Sequence, residues 1–378
     1  MTMVKVKSII LVSLFFYILC SCSSNQNKSV QKIKCTISLY DSIIFNEPGL
    51  IITDYNNTNN LFLGYNRYNY SISLFDSIGT KAYHFLHRGE GPSEYNYIHF
   101  WSIKFFSDTS ICLIDGNTLK IFSIRGDFFK SIEFDPIKSP IKIRDFDLIN
   151  KNEKMIFRRN DPSYVGDKNV YEDKLFRIFD FRKKQLRDII NFEKNSIYKN
   201  DDYFFTKVSP LFDINKSDKT FDILFPLEPI IYKYDLENFT LKNKVFLNPE
   251  HFSNNIQGIN FGSKIKNSFY YEQINPAYEY FIVNNGITYI IYKEALREDK
   301  IFKSAADYNM NTEKIPKFLQ IVFDKGEISN DIKLPSSRVG FISAIVPNSF
   351  ILFYKKPNVF DETNNVTTFL KAKVIYEN

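Results

Sequence analysis

From residue 31 to the end of the chain, short apolar runs are interrupted by Asn, Asp, Gly or Pro, and no helical period lasts beyond about two turns. A chain punctuated this often reads as all-β. The clearest repeating unit spans residues 100–134. It parses into strands Trp101–Phe106, Ser110–Ile114, Leu119–Ile124 and Phe128–Phe134, with turns at Ser107-Asp108, Asp115-Gly116-Asn117 and Arg125-Gly126-Asp127. Turns this tight force neighbouring strands to run antiparallel, and a four-stranded meander is the unit of a propeller blade.

Five further copies are marked by their third strand, at residues 71–76, 175–181, 229–236, 318–324 and 368–376. The spacing between copies is roughly 50 to 56 residues, except where extra segments at Asn255–Asn275 and Glu294–Thr312 lengthen the fourth interval. The last copy ends at its third strand, while the strand at residues 34–40 has no partner in the first copy. The expected fold is therefore an all-β, six-bladed β-propeller of four-stranded antiparallel blades, its ring closed by the N-terminal strand. Closure removes the open sheet edge that would otherwise invite aggregation. A pair of irregular β-sandwiches is the alternative.

The N-terminus has a different chemistry. A segment with Lys5 and Lys7 precedes an apolar run from Ile9 to Leu19, 11 residues long. This is too short for the roughly 20 residues of a spanning helix but is the layout of a secretory signal. Leu19, Cys20, Ser21 and Cys22 resemble a bacterial lipobox, which implies cleavage after Ser21 and a lipid anchor on Cys22, a palmitate or similar acyl set. The expected organisation is a cleaved signal peptide at 1–21, a lipidated polar tether at 22–32 and the propeller at 33–378. No acidic cluster follows the cysteine, which points to the outer membrane facing the periplasm, with the cell surface as the alternative.

The chain carries 49 Lys and Arg against 43 Asp and Glu, a net of +6 that falls to +4 when Lys5 and Lys7 leave with the signal. Acids and bases interleave, without the basic stripe of a nucleic-acid binder. Cys20 is removed and Cys22 acylated, leaving Cys35 and Cys112 in different blades. Two buried, reduced strand cysteines are expected there, with pairing in an oxidising compartment as the alternative.

Residues 88–95, RGEGPSEY, stand out in a chain with only 13 glycines. A dinucleotide loop would need a third glycine and a following helix. Here Glu94 takes the third position, Pro92 removes a donor and a strand follows. Two glycines this close suggest a backbone turning through positive φ, passing the chain from blade 1 to blade 2. His84, His87 and His99 lie near Glu90 and Glu94, but a spacing of three places His84 and His87 on opposite faces of a strand. No metal site and no cofactor is expected. There is no GxSxG elbow, and the adjacent Asp201 and Asp202 read as a solvated loop. Tyrosine- and asparagine-rich connections at 191–205 and 248–280 suit stacking and hydrogen bonding to a peptide or glycan.

The lipobox, the four-strand repeats and GEGPSEY together resemble the TolB-like six-bladed propeller family of Gram-negative lipoproteins. Gly89, Gly91, Pro92, Glu94 and Tyr95 match that family's GxGPxE-type segment, with Ser93 where glycine is common. The resemblance implies a fold and a compartment but no catalytic residues. The expected function is a monomeric envelope lipoprotein that binds a protein, peptide or other envelope ligand without catalysis. Arg88, Gly89, Glu90, Gly91, Pro92, Glu94 and Tyr95 form the candidate ligand-face loop. The alternative is a propeller enzyme or carbohydrate-acting module with the 249–317 insertions as a lid. If Cys22 carries the anchor, Cys22→Ser should move the protein from the detergent to the aqueous phase in a membrane extraction.

Overall fold

The computed structural model describes residues 32–377 except 97, 135–144, 150–152, 160–167, 264–267, 312–313, 336–338 and 356–362. The lipobox, Cys22 and the expected tether up to residue 31 lie outside the described residues.

Among the described residues there are seven sheets: six are arranged in sequence order as blades, each built on an antiparallel meander from an inner towards an outer strand, and a two-stranded seventh pairs Tyr203–Phe204 with Ile259–Asn260. Blade 1 comprises Leu50–Asn56, Leu61–Asn66, Ile72–Phe75 and Lys81–Phe85; blade 2 comprises Ile103–Ser107, Ser110–Asp115, Thr118–Ser123 and Phe128–Glu133. Blade 3 runs through Phe146–Ile149, Lys154–Arg158, Phe176–Asp180 and Gln185–Ile189, and blade 4 through Leu211–Asn215, Thr220–Leu224, Ile230–Asp235 and Leu241–Phe246. Blade 5 begins with Ala277–Asn284, Ile287–Lys293 and Lys317–Val322, and blade 6 with Val339–Val346, Phe350–Lys355 and Thr367–Tyr376.

The sixth blade takes its outer strand from the other end of the chain. Cys35–Phe45 pairs antiparallel with Thr367–Tyr376, in register from Cys35 opposite Tyr376 to Phe45 opposite Thr367. The expected closure is therefore present, and the closing strand runs five residues further than expected.

Middle strands are apolar on both faces because each blade is sandwiched between two others. Leu61–Asn66, Ile72–Phe75 and Thr220–Leu224 are buried throughout, whereas the outer strand Phe128–Glu133 is largely exposed. The buried apolar residues fall into six clusters, one for each blade–blade interface. At the closing interface Phe45 has no exposed surface and meets Phe75, Phe369 and Phe62 edge-on at centroid distances of 4.7, 5.3 and 6.5 Å. Beside it the buried Glu47 accepts hydrogen bonds from Asn66 and Ser73 and pairs with Lys81 of blade 1, while its carbonyl accepts from Thr367 of blade 6.

Three features depart from the sequence-based expectation. Trp101 does not start a strand: Phe100–Ser102 is one 3-10 turn, capped by His99, and the inner strand begins at Ile103. The fifth sheet is not a plain four-stranded meander. Its outer position is shared by Ile328–Ser329 and Ile332–Leu334, and Lys32–Ile33 joins parallel to the former. Lys32, placed in the tether by the sequence, is thus already part of the sheet. Cys35 and Cys112 are free and buried, as expected.

The extra segments carry helices Ser268–Ile274 and Ala305–Met310. Among the described residues, no helix is long and apolar enough to cross a membrane. Both segments lie on the face where each inner strand begins, called the upper face below. This follows from topology, since they join an outer strand to the next inner strand or a second strand to a third.

Deleting residues 32–42 removes the partner of Thr367–Tyr376 and bares the seam of blade 6. Loss of the single cooperative melting transition is expected in differential scanning calorimetry; an unchanged transition would refute the closure as a stability determinant.

Candidate functional site

The inner strands leave a cavity of about 930 Å³ along the hub, lined by residues of all six blades. Inner strands diverge from one another around a hub, so their free backbone N–H groups need acceptors from elsewhere. Aspartates supply them. Asp54 of blade 1 accepts from its own neighbour Tyr55 and, at 2.8 Å, from the N–H of Phe105 in blade 2. Asp213 of blade 4 does the same with Ile214 and, at 2.7 Å, with Val283 of blade 5. Asp147 of blade 3 accepts from Leu148 and lies 3.5 Å from the ammonium of Lys104 in blade 2.

This belt is electrostatically tense. Burial and the nearby negative charge of Asp147 push the Asp213 carboxyl well above the usual carboxylate range. Burial likewise raises Asp54. For Lys104 burial acts in the opposite sense, but Asp147, Asp213, Asp54 and Asp145 outweigh it and hold the ammonium charged.

At the upper end the channel is capped by aromatic rings. Trp101, the single tryptophan of the chain, enters from blade 2 and reaches across the hub to Tyr280 of blade 5 and Phe341 of blade 6, at centroid distances of 6.5 and 5.8 Å. Tyr280 stacks on Phe341 at 5.4 Å, Phe341 on Tyr354 at 5.0 Å, and Phe100 sits 4.7 Å from Trp101. Trp101, Tyr280 and Phe341 are each half-buried; Trp101 and Tyr280 line the channel, and Phe341 is stacked between Tyr280 and Tyr354 behind them.

A second cavity of about 480 Å³ adjoins the first, and the two share Arg158, Leu211, Glu279 and Tyr280. Burial works to raise the Glu279 carboxyl, but Lys317 at 2.8 Å, Lys207 at 3.9 Å and Lys293 together bring it down to about 2. Lys293 is only 1% exposed, and burial, reinforced by the charge of Lys207, lowers it to about 7. Its ammonium donates to the Glu272 carbonyl and to the Tyr308 hydroxyl. The two insertions therefore close over blade 5 through this lysine.

The RGEGPSEY stretch does not line the channel. It forms a clamp between blades 1 and 2. Tyr95 is fully buried and donates to the Tyr70 carbonyl, and the Arg88 guanidinium lies 4.3 Å from the Tyr70 ring centroid. Gly89 donates to the Tyr95 carbonyl and Tyr95 to that of His87. The glycines are not in the left-handed region, which corrects the reading from sequence. Their reason is close approach: Glu94 folds back to accept from the Gly91 N–H, and a Cβ on Gly89 would lie 2.1 Å from its carboxylate. The Glu94 carbonyl is in turn held by Lys120. Of the charged residues only Arg88 and Glu90 are exposed, beside Pro92 on the upper face.

The aromatic connections also differ from expectation. Tyr198, Phe204, Phe205, Phe252 and Tyr278 turn into the core and offer no stacking platform to a ligand. The half-buried rings at the channel mouth are Trp101, Phe341 and Tyr280, the last of these at the end of the 248–280 stretch. A period-two pattern could not reveal them, because they meet across the hub from three blades.

No family model and no curated protein matches the chain. Solved structures do. A member of the duf4221 family from Bacteroides vulgatus aligns with a TM-score of 0.67 at 11% identity, covering 92% of this chain and 100% of the other. A Bacteroides fragilis protein whose description proposes export aligns with a TM-score of 0.55 at 12% identity, covering 93% and 97%. At these identities the likeness establishes the fold: this chain is a six-bladed β-propeller.

Because the folded protein raises the Asp213 pKa, the stability contributed by its protonated form is complete below the ordinary value of 3.8 and is lost as pH rises through the folded value. The melting temperature of the wild type should therefore fall relative to Asp213→Asn as pH rises from the carboxylate range through neutrality. The variant keeps one acceptor oxygen, loses the other and cannot ionise, so the comparison rests on the slope of melting temperature against pH and not on its absolute level. Parallel pH–melting curves would exclude a raised Asp213 pKa.

Proposed function

We propose that this protein is an exported, lipid-anchored binding module of the cell envelope, and that its ligand is a peptide segment of a partner protein taken at the aromatic mouth of the hub. The observation that carries this reading is the cap formed by Trp101, Tyr280 and Phe341 over a channel large enough for side chains to enter. Half-buried aromatics around a concave mouth give a large contact area at low entropic cost. Ser343, 7% exposed, lines the same channel with a hydroxyl that has no hydrogen-bond partner among the described residues. Arg88 and Glu90, on the same face, add charge at the rim, where charge contributes more to specificity than to affinity.

The N-terminal lipobox and the resemblance to TolB-like lipoproteins support anchoring through Cys22, with the outer membrane facing the periplasm as the compartment. The fold neighbour described in terms of export is in line with this.

Binding is favoured over catalysis by how the hub carboxylates are used. Both oxygens of Asp213 accept backbone N–H bonds, and Asp54 is engaged in the same way, so neither is free to act on a substrate.

A photo-crosslinking residue at position 101 should capture a protein partner in intact cells, identified by mass spectrometry, while the same residue at Phe129, on an outer strand, should not. Against that captured partner, Trp101→Ala should weaken binding by about 30-fold or more, as truncating a buried aromatic anchor does, and binding should shift the fluorescence of the single tryptophan. Equal capture at both positions, or at neither, would refute the channel mouth as the binding site.

A further inference from the structure

The geometry points to a site for a divalent metal ion of the zinc class on the flank of blade 5, built by Glu250, His251 and Asp331. One ligand atom from each of these side chains lies within 4.8 Å of the others. Small side-chain adjustments bring such a trio to the roughly 2.0–2.2 Å at which zinc takes imidazole nitrogen and carboxylate oxygen. One imidazole with two carboxylates suits zinc and its neighbours among the transition metals better than calcium, which prefers an all-oxygen shell. Glu250 and His251 are exposed, which leaves room for water in a further position.

Independent observations point to an ion there. Asp331 uses only one of its oxygens in hydrogen bonding: Oδ2 accepts from the Tyr292 hydroxyl at 2.7 Å and from the Glu250 N–H at 2.5 Å. Its Oδ1 is enclosed and has no hydrogen-bond partner among the described residues. An enclosed carboxylate oxygen without a partner is costly. A cation supplies the carboxylate with the partner it lacks.

The ligands are also held in place. The His251 ring stacks on Phe318 at 4.1 Å, and the next residue, Phe252, stacks on Tyr278 at 4.8 Å. Tyr292 fixes Asp331, and Lys32 holds one oxygen of Glu250 at 2.9 Å, leaving the other without a hydrogen-bond partner among the described residues. Outer partners of this kind orient ligands and tune affinity.

The position gives the ion a mechanical role. Asn330, next to Asp331, donates to the Ile33 carbonyl and accepts from the Cys35 N–H at 2.6 Å. The site thus joins the connection between blades 4 and 5 to the outer edge of blade 5 at the point where the N-terminal segment turns into the closing strand. An ion there braces the ring closure.

The test uses the full-length, untagged protein in detergent, stripped with a chelator and titrated with Zn²⁺ by calorimetry. One equivalent is expected to bind at micromolar zinc and to raise the melting temperature reversibly with chelator. His251→Ala, at an exposed side chain, and Asp331→Asn, which retains an acceptor for Tyr292, should each weaken binding by about 100-fold or more, beyond the 10–100-fold typical of losing an outer partner. Lys32→Ala, which removes an outer partner of Glu250 and not a ligand, should weaken binding by no more than the 10–100-fold typical of such a loss. Circular dichroism of the variants separates lost ligation from lost folding. Absence of saturable binding, or full binding by the folded His251→Ala/Asp331→Asn double variant, would overturn the site.

Discussion

Every blade of this protein is a twisted sheet with two apolar faces, and one constraint governs the rest: no such face can be left bare. Six sheets arranged in an open arc would expose two large apolar surfaces, so the arc must close, and the last sheet must find its outer strand at the far end of the chain. Cys35–Phe45 meets that demand with both backbone and side chains. Its ladder completes blade 6, and Phe45 enters the interface with blade 1. The two ends of the sequence therefore stabilise each other, and the fold has no natural point at which to fray.

Closing a ring creates the opposite problem at its centre. Inner strands that radiate from a hub cannot pair with one another, and their backbone groups need acceptors. Asp54 and Asp213 each reach across to the next blade, so the hub fills with carboxylates for structural reasons. The price is mutual repulsion in a partly dry space, relieved by Lys104 and by the raised pKa of Asp213, which favours its protonated form. A convergence of acids in a propeller hub is thus not evidence of glycosidic chemistry unless the acids have lone pairs to spare.

The RGEGPSEY stretch illustrates how a local pattern can be read correctly in place and wrongly in cause. It connects blade 1 to blade 2, as its position implied. Its glycines serve a returning glutamate and not a left-handed turn, and Tyr95 is a buried plug between blades. What reaches the hub is the segment just after it, His99 to Trp101, where a single 3-10 turn replaces the strand that periodicity suggested.

The sequence alone determined the blade count, the third strand of every blade and the closure, because doubly buried strands must be continuous apolar runs and turns must carry Asn, Asp and Gly. It also determined that Cys35 and Cys112 belong to separate blades, since strand order follows chain order. Only the tertiary structure decided what shares a surface. Trp101, Tyr280 and Phe341 come from blades 2, 5 and 6, and Glu250, His251 and Asp331 meet across 81 residues of chain. Such groupings leave no trace in local spacing. Side chains on different blades are brought together by the angle between sheets around the ring, and that angle is set by packing at all six interfaces at once.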